Sequence, residues 1–236
     1  MTGEKYWAVI PAAGLGVRMG TEVPKQYLPL CGKTVIEHTL ARLCQYPLMS
    51  GVVVALAAID EHWHKLSFQR GTSLLVTSGG AKRCHSVLAA LKRLEKLAQP
   101  HDWILVHDAV RPCLRSTDID SLIERLSQHP VGGLLALPVR DTMKRSDKDR
   151  TVSQTVPREG LWHALTPQMF RYAALIAALE GALDKGVMVT DEAQAIELAG
   201  AAPQLVEGHS DNIKITHRQD LALAEWYLRQ QRDEAP

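Results

Sequence analysis

The sequence is short of most features that would place it outside ordinary soluble globular proteins. Only four of its 236 residues are cysteine. Cys31, Cys44, Cys84 and Cys113 are widely and irregularly spaced and contain no CxxC pair, which excludes a disulfide framework and a zinc ribbon. They read as reduced thiols of a cytoplasmic protein. There is no HExxH among the ten histidines, and His62 and His64 read as part of a solvated helix face. Charge is balanced, with a net value of +1, so nothing electrostatic argues for nucleic acid or an anionic membrane. No apolar run approaches the roughly 20 residues that span a bilayer. The apolar stretch at 6–17 holds Pro11 and two glycines and runs into Arg18, so it reads as a strand and loop, not a signal-peptide core. No repeat, low-complexity tract or Gly/Ser linker divides the chain, and residues 1–236 read as a single domain.

Within that frame, short apolar runs alternate with helical patterns. YWAVIP (6–11), GVVVALAA (51–58), SLLVT (73–77) and WILVHD (103–108) are nearly continuous apolar stretches, the mark of strands buried on both faces. Residues 35–45 and 81–99 carry apolar side chains at three- and four-residue steps, and a helix over 118–127 follows Thr117 as N-cap. Helices are expected near 171–185 and 191–199, then QLVEG and NIKIT as short strands, and a last helix to about 231. The order implies a Rossmann-like, mostly parallel α/β sheet with helices on both faces. The polar stretch at about 139–160 interrupts it. The alternation of TVSQTV there predicts a projecting β-arm.

The stretch PAAGLGVRMGTEVPKQYLP (11–29) follows the first strand. Its glycines let backbone N–H groups come close to a ligand, and Arg18 and Lys25 suit an anion. Two familiar phosphate loops fail on spacing. Gly14, Gly16 and Gly20 make GxGxxxG, not GxGxxG, and no ribose-binding acid precedes Asp60. Gly32-Lys33-Thr34 would need a glycine where Tyr27 stands. A lone GxG is as readily a plain turn.

PAAGxGxRM with PKQYL resembles the opening of nucleotidyltransferases. GGAKRCHSV (79–87), HDAVRP (107–112), PVRDTMKR (138–145), LWHALTPQ (161–168), TDEA (190–193) and VEGHSDNIKIT (206–216) follow in order. Together they resemble the 2-C-methyl-D-erythritol 4-phosphate cytidylyltransferase family over nearly the whole chain, and ribitol-5-phosphate cytidylyltransferases share several blocks. The resemblance implies CTP and 2-C-methyl-D-erythritol 4-phosphate as substrates, with Mg²⁺ carried on the CTP phosphates and no protein metal ligands. Arg18 and Lys25 would stabilise the transition state, and Arg158 and Lys214 would orient the attacking phosphate. Pro11, Ala12, Ala13, Gly14, Gly16, Gly80, Ala81, Ser86 and Ala109 would contact the nucleotide. Asp108, Arg111, Thr142, Thr166 and Thr190 would hold the alcohol phosphate. Ala81 stands where some relatives carry an acid, so a side-chain contact at 81 is not expected; Pro157 stands where they often carry Asp, which implies a slightly altered turn at Arg158. The family also implies a homodimer in which each β-arm brings Arg158 to the partner's site. The rival enzyme reading, a nicotinamide-dependent reductase, lacks its glycine spacing and its acid. A non-catalytic nucleotide-binding regulator would have no use for four such cations together.

Overall fold

The apolar runs become strands buried on both faces, and successive residues feed two opposite cores. A computed structural model describes residues 3–14, 23–66 and 73–234. In chain order the first elements are β1 (Tyr6–Pro11), a single 3₁₀ turn (Lys25–Tyr27), the two-residue strands β2 (Pro29–Leu30) and β3 (Lys33–Thr34), and α1 (Val35–Cys44). Then come β4 (Met49–Leu56), β5 (Ser73–Ser78), α2 (Arg83–Arg93), β6 (Trp103–Val106), α3 (Ser116–Leu126) and β7 (Gly132–Pro138). The rest is β8 (Met143–Ser146), β9 (Val152–Val156), β10 (Trp162–Arg171), α4 (Tyr172–Asp184), α5 (Glu192–Leu198), β11 (Gln204–Glu207) and α6 (Gln219–Asp233).

Seven strands form one sheet in the order β11-β7-β10-β6-β1-β4-β5. β1 pairs in parallel with β4 and β6, β4 with β5, and β7 with β11, while β10 runs antiparallel between β6 and β7. Ala8 and Ile10 of β1 enter one core with Ile36, Leu40 and Leu43 of α1 and Ile119 and Leu122 of α3. Trp7 and Val9 enter the other, with Val87 and Leu91 of α2, Leu175 and Leu179 of α4, and Ile196 of α5. This is the period-two alternation of a sheet covered on both sides. α6 closes a smaller cluster of Leu30, Val35, Val110, Cys113 and Ile215 with Ala224 and Leu228. None of the helices among the described residues is long and apolar enough to cross a membrane.

Local chemistry sets the ends. α1 starts in a capping box: Glu37 N–H donates to Thr34 Oγ1 at 3.4 Å, and Thr34 N–H donates to Glu37 Oε2 at 2.7 Å. α3 begins one residue before the expected cap, at Ser116. Residues 161–170, assigned to no element from sequence, form most of β10. Pro167, which has no N–H to give a ladder, sits where the β10–β7 register shifts between Ala164 and Gln168. His62 and His64 lie on or beside a 3₁₀ turn (Trp63–Lys65) and not on a helix face, and the His62 ring stacks on Tyr27 at 5.1 Å. NIKIT is not a strand. Its backbone meets the sheet region through Ile215 N–H donating to Val110 O at 2.9 Å. In the polar stretch, β8 and β9 pair with each other and, among the described residues, with no further strand; nearly all their residues are exposed.

Candidate active site

The loops leaving the carboxyl ends of β1, β5 and β6 meet, as ligand-binding loops of open α/β sheets do. They enclose a cavity of about 410 Å³, closed on one side by Lys25 and Gln26 and by Lys214. Lys25, Lys82, Arg83 and Lys214 line it, and Asp108 is the one carboxylate among the described lining residues. Such a lining favours a multiply charged anion.

Gln26 fixes the first loop. The buried Nε2 donates to Ala12 O at 2.9 Å and to Gly14 O at 3.2 Å, tying the chain after β1 to the turn that carries Lys25. Lys25 Nζ reaches across to donate to Ile215 O at 3.1 Å. The second loop depends on glycine. A Cβ at Gly79 would lie 2.7 Å from both Ala13 Cβ and Ser86 Oγ, so only hydrogen lets these loops touch. Gly80 N–H donates to the buried Ser86 Oγ at 3.1 Å.

Asp108, just beyond β6, is buried and ringed by cations. Arg83 Nε donates to Oδ1 at 3.0 Å, Lys214 Nζ lies 2.8 Å from Oδ2, and Arg111 Nε stands 3.5 Å from Oδ2. Burial would raise the carboxyl's pKa. Attraction from Arg83, Lys214 and Arg111 outweighs it and holds the group well below the usual carboxylate range. Arg83 is itself gripped by Glu192, Nη1 donating to Oε1 at 2.6 Å and Nη2 to Oε2 at 3.0 Å.

Under this cluster a neutral imidazole sets hydrogen-bond directions. Desolvation pushes the pKa of His107 down to about 4. Its Nε2 lies 3.0 Å from Arg111 O, a pure acceptor, so the proton sits on Nε2. Nδ1 must then accept, and the Thr166 hydroxyl, 2.9 Å away, donates to it. The same hydroxyl accepts from Asp108 N–H at 3.2 Å. Asn212 completes the frame, its Nδ2 donating to Thr166 O and its own backbone carbonyl accepting from Arg111 Nη1, both at 2.7 Å.

Of the residues expected from sequence, Pro11, Ala12, Ala13, Gly14, Lys25, Gly80, Ala81, Ser86, Asp108, Ala109 and Lys214 line this one cavity. Arg111 and Thr166 are buried beneath it, with the contacts just given. Thr142, Arg158 and Thr190 are exposed and do not line it; Arg158 Nη1 donates to Arg140 O, and Thr190 N–H donates to Gln194 Oε1 at 2.7 Å. Gly16 and Arg18 lie outside the described residues. Sequence reasoning missed Gln26, Arg83, His107, Glu192 and Asn212. One signal was present for Arg83: a cation opening a helix opposes the helix dipole and so calls for a specific anionic partner.

A family model for 2-C-methyl-D-erythritol 4-phosphate cytidylyltransferase matches residues 6–230. Relatives of that name include one from Vibrio vulnificus (strain YJ016), 51% identical over 226 residues that cover 96% of this chain and 95% of the relative. Another, from Pseudomonas aeruginosa PAO1, is 54% identical over 217 residues, 92% of this chain and 93% of the relative. A solved 4-diphosphocytidyl-2C-methyl-D-erythritol synthase superposes with a TM-score of 0.84 at 36% identity, covering 96% of this chain and 99% of that one. The Francisella tularensis 2-C-methyl-D-erythritol 4-phosphate cytidylyltransferase gives a TM-score of 0.83 at 35% identity, covering 95% of this chain and 100% of the other.

Proposed function

The chain belongs to the 2-C-methyl-D-erythritol 4-phosphate cytidylyltransferase family, and from that premise we propose how its cavity performs the reaction. The enzyme joins CTP to 2-C-methyl-D-erythritol 4-phosphate, releasing pyrophosphate, in isoprenoid precursor synthesis. Ribitol 5-phosphate is the less favoured alcohol, since the relatives carry the methylerythritol name. The observation that supports this use of the cavity is that its described lining residues set four cations against one carboxylate that is already neutralised.

A phosphate oxygen of the alcohol phosphate attacks the α-phosphorus of CTP. The new P–O bond forms as the bond to the β-phosphate bridge breaks, and pyrophosphate leaves opposite. The attacking group is already an anion, so the protein supplies position and charge instead of a nucleophile. The loop after β1 admits the triphosphate, Arg18 and Lys25 neutralise charge growing on it, and Gly80 and Ser86 read the base. Lys214 and Arg158 orient the attacking phosphate. Incubation with CTP, Mg²⁺ and methylerythritol phosphate should release pyrophosphate, with ribitol 5-phosphate far poorer in a parallel reaction. No pyrophosphate from the first would overturn the reading.

For Mg²⁺, the described residues offer no group of three or more His, Cys, Asp or Glu placed to hold a metal, and Asp108 is engaged by three cations. We propose that Mg²⁺ would be carried on the nucleotide's phosphate oxygens, where it would supply charge neutralisation. Calorimetry should show negligible Mg²⁺ binding to the protein alone and clear binding once CTP is present. Tight binding without nucleotide would contradict this.

Thr142 and Arg158 flank the β8–β9 pair, outside their own cavity, which suits a two-fold dimer in which each pair completes the other subunit's site. Arg18→Ala mixed with Arg158→Ala, each nearly inactive alone, should then regain roughly a quarter of wild-type activity after subunit exchange, because half the dimers are mixed and each has one intact site. A mixture that stays inactive, with heterodimers confirmed by native mass spectrometry, sinks the shared site. The four unpaired thiols suit a reducing cytoplasm.

A further inference from the structure

No step above is assigned to Arg83, which lines the cavity, or to Glu192, which does not, yet their side chains meet in a bidentate, two-bond grip at the cavity wall. Glu192 is fully buried, and the start of α5 that carries it is locked. Asp191 Oδ1 accepts from Gln194 N–H at 3.0 Å and its Oδ2 from Gln168 Nε2 at 2.9 Å, while Gln168 Oε1 accepts from Ala193 N–H at 2.8 Å. A continuous train of polar contacts thus runs from β10 through α5 to Glu192, then to Arg83, Asp108 and Lys214.

Stability alone does not account for the pair. Buried ion pairs commonly gain little over apolar groups of equal volume, because desolvation offsets the attraction. Arg83 also spends its third donor, Nε, on a residue of the cavity itself. That contact divides the Asp108 carboxylate: Oδ1 is taken by Arg83 and Oδ2 is left to Lys214 and Arg111. Turned about its Cβ–Cγ bond, the carboxylate would face Lys214 differently, and the ammonium would move with it.

We propose that Glu192 and Arg83 are a positioning pair, Glu192 orienting the guanidinium and Arg83 fixing the Asp108 carboxylate so that Lys214 meets the alcohol phosphate in line. The inference rests on the reaction proposed above, and it adds two residues that touch no reacting atom.

The test is the paired replacement Arg83→Met with Glu192→Met, which removes equal and opposite charges and leaves the protein's net charge unchanged. Thermal melting should fall only modestly, since Asp108 keeps Lys214 and Arg111, and the KM for CTP should change far less than the kcat/KM for the alcohol phosphate. The kcat/KM for the alcohol phosphate should nevertheless fall about 10- to 100-fold, as expected when a reacting group is misplaced by about 1 Å. Placed in an Asp108→Asn background, the same replacement should cost no more than about twofold, since its effect passes through Asp108. Arg83→Lys keeps the charge and a partner for Glu192 but loses the planar fork, so it should stay low. This single variant carries the test if the paired one does not fold. Wild-type kcat/KM in either variant, or an equal loss in the Asp108→Asn background, would overturn the proposal. A wild-type protein inert toward CTP and methylerythritol phosphate would instead overturn the reaction it rests on.

Discussion

Lys25→Ala should lower kcat by about 10²- to 10³-fold while the protein melts close to the wild-type temperature, the loss typical of one preorganised group facing transition-state charge. Lys25 sits on a single 3₁₀ turn entered from Pro24, next to a buried Gln26 that anchors the turn to Ala12 and Gly14. The backbone there is held by Gln26, so truncating the neighbouring lysine removes charge without freeing the loop. Ground-state CTP keeps other cations of the cavity lining, Lys82 among them, so KM should move much less than kcat. Lys33, exposed on β3 and not among the residues lining the cavity, provides the control and should tolerate alanine. Steady-state kinetics on the two variants decide the matter. Near-normal turnover in Lys25→Ala would remove this ammonium from the mechanism.

Asp108→Ala should abolish activity and also cost stability. It leaves Arg111 buried without its carboxylate and sets Lys214 beside Arg83 with nothing between them. Removing one partner of a buried ionic cluster costs about 3–5 kcal/mol. In a chain of this size each kcal/mol lowers Tm by about 2–4 °C, so a fall of roughly 6–20 °C is expected by scanning calorimetry. The pH dependence follows from the depressed carboxyl pKa. A group whose folded pKa lies below its unfolded one stabilises fully above the unfolded value, about 3.9, and loses that contribution as pH falls toward the folded value. The gap between wild type and variant should therefore hold steady from about pH 5 to 8 and shrink on acidification below about pH 4. A gap that widens in acid would contradict the assignment.

The sheet was legible because strands such as Trp7–Ile10 and Val52–Leu56 are buried on both faces and must read as apolar runs. NIKIT misled for a related reason. Its alternation is real: Ile213 and Ile215 pack toward the α6 cluster, while Asn212 and Lys214 serve the site. Period two marks two environments, and here the segment has no strand beside it among the described residues. β10 was hidden by Pro167, which is tolerated only at an interruption of the ladder. At the site, the backbone loops and Lys25 were visible because small residues and a cation just past a strand end are what close approach to a phosphate demands. The Arg83–Glu192 pair was not, since its members stand 109 residues apart and the place of Arg83 at a helix start calls for an anion without saying which.

The frame under Asp108 also has an order in time. A ribosome delivers β1, β4, β5 and β6 first, so Asp108 and Arg111 are in place long before Asn212 and Lys214 emerge. The Asn212 carbonyl that takes the Arg111 guanidinium, and the Ile215 carbonyl that receives Lys25, are among the last parts made. A nascent chain stopped before residue 209 would carry all seven strands and the Arg83, Asp108, Arg111 and Glu192 charges, but neither carbonyl that receives Arg111 and Lys25. The cavity wall is therefore completed only when translation has passed Lys214.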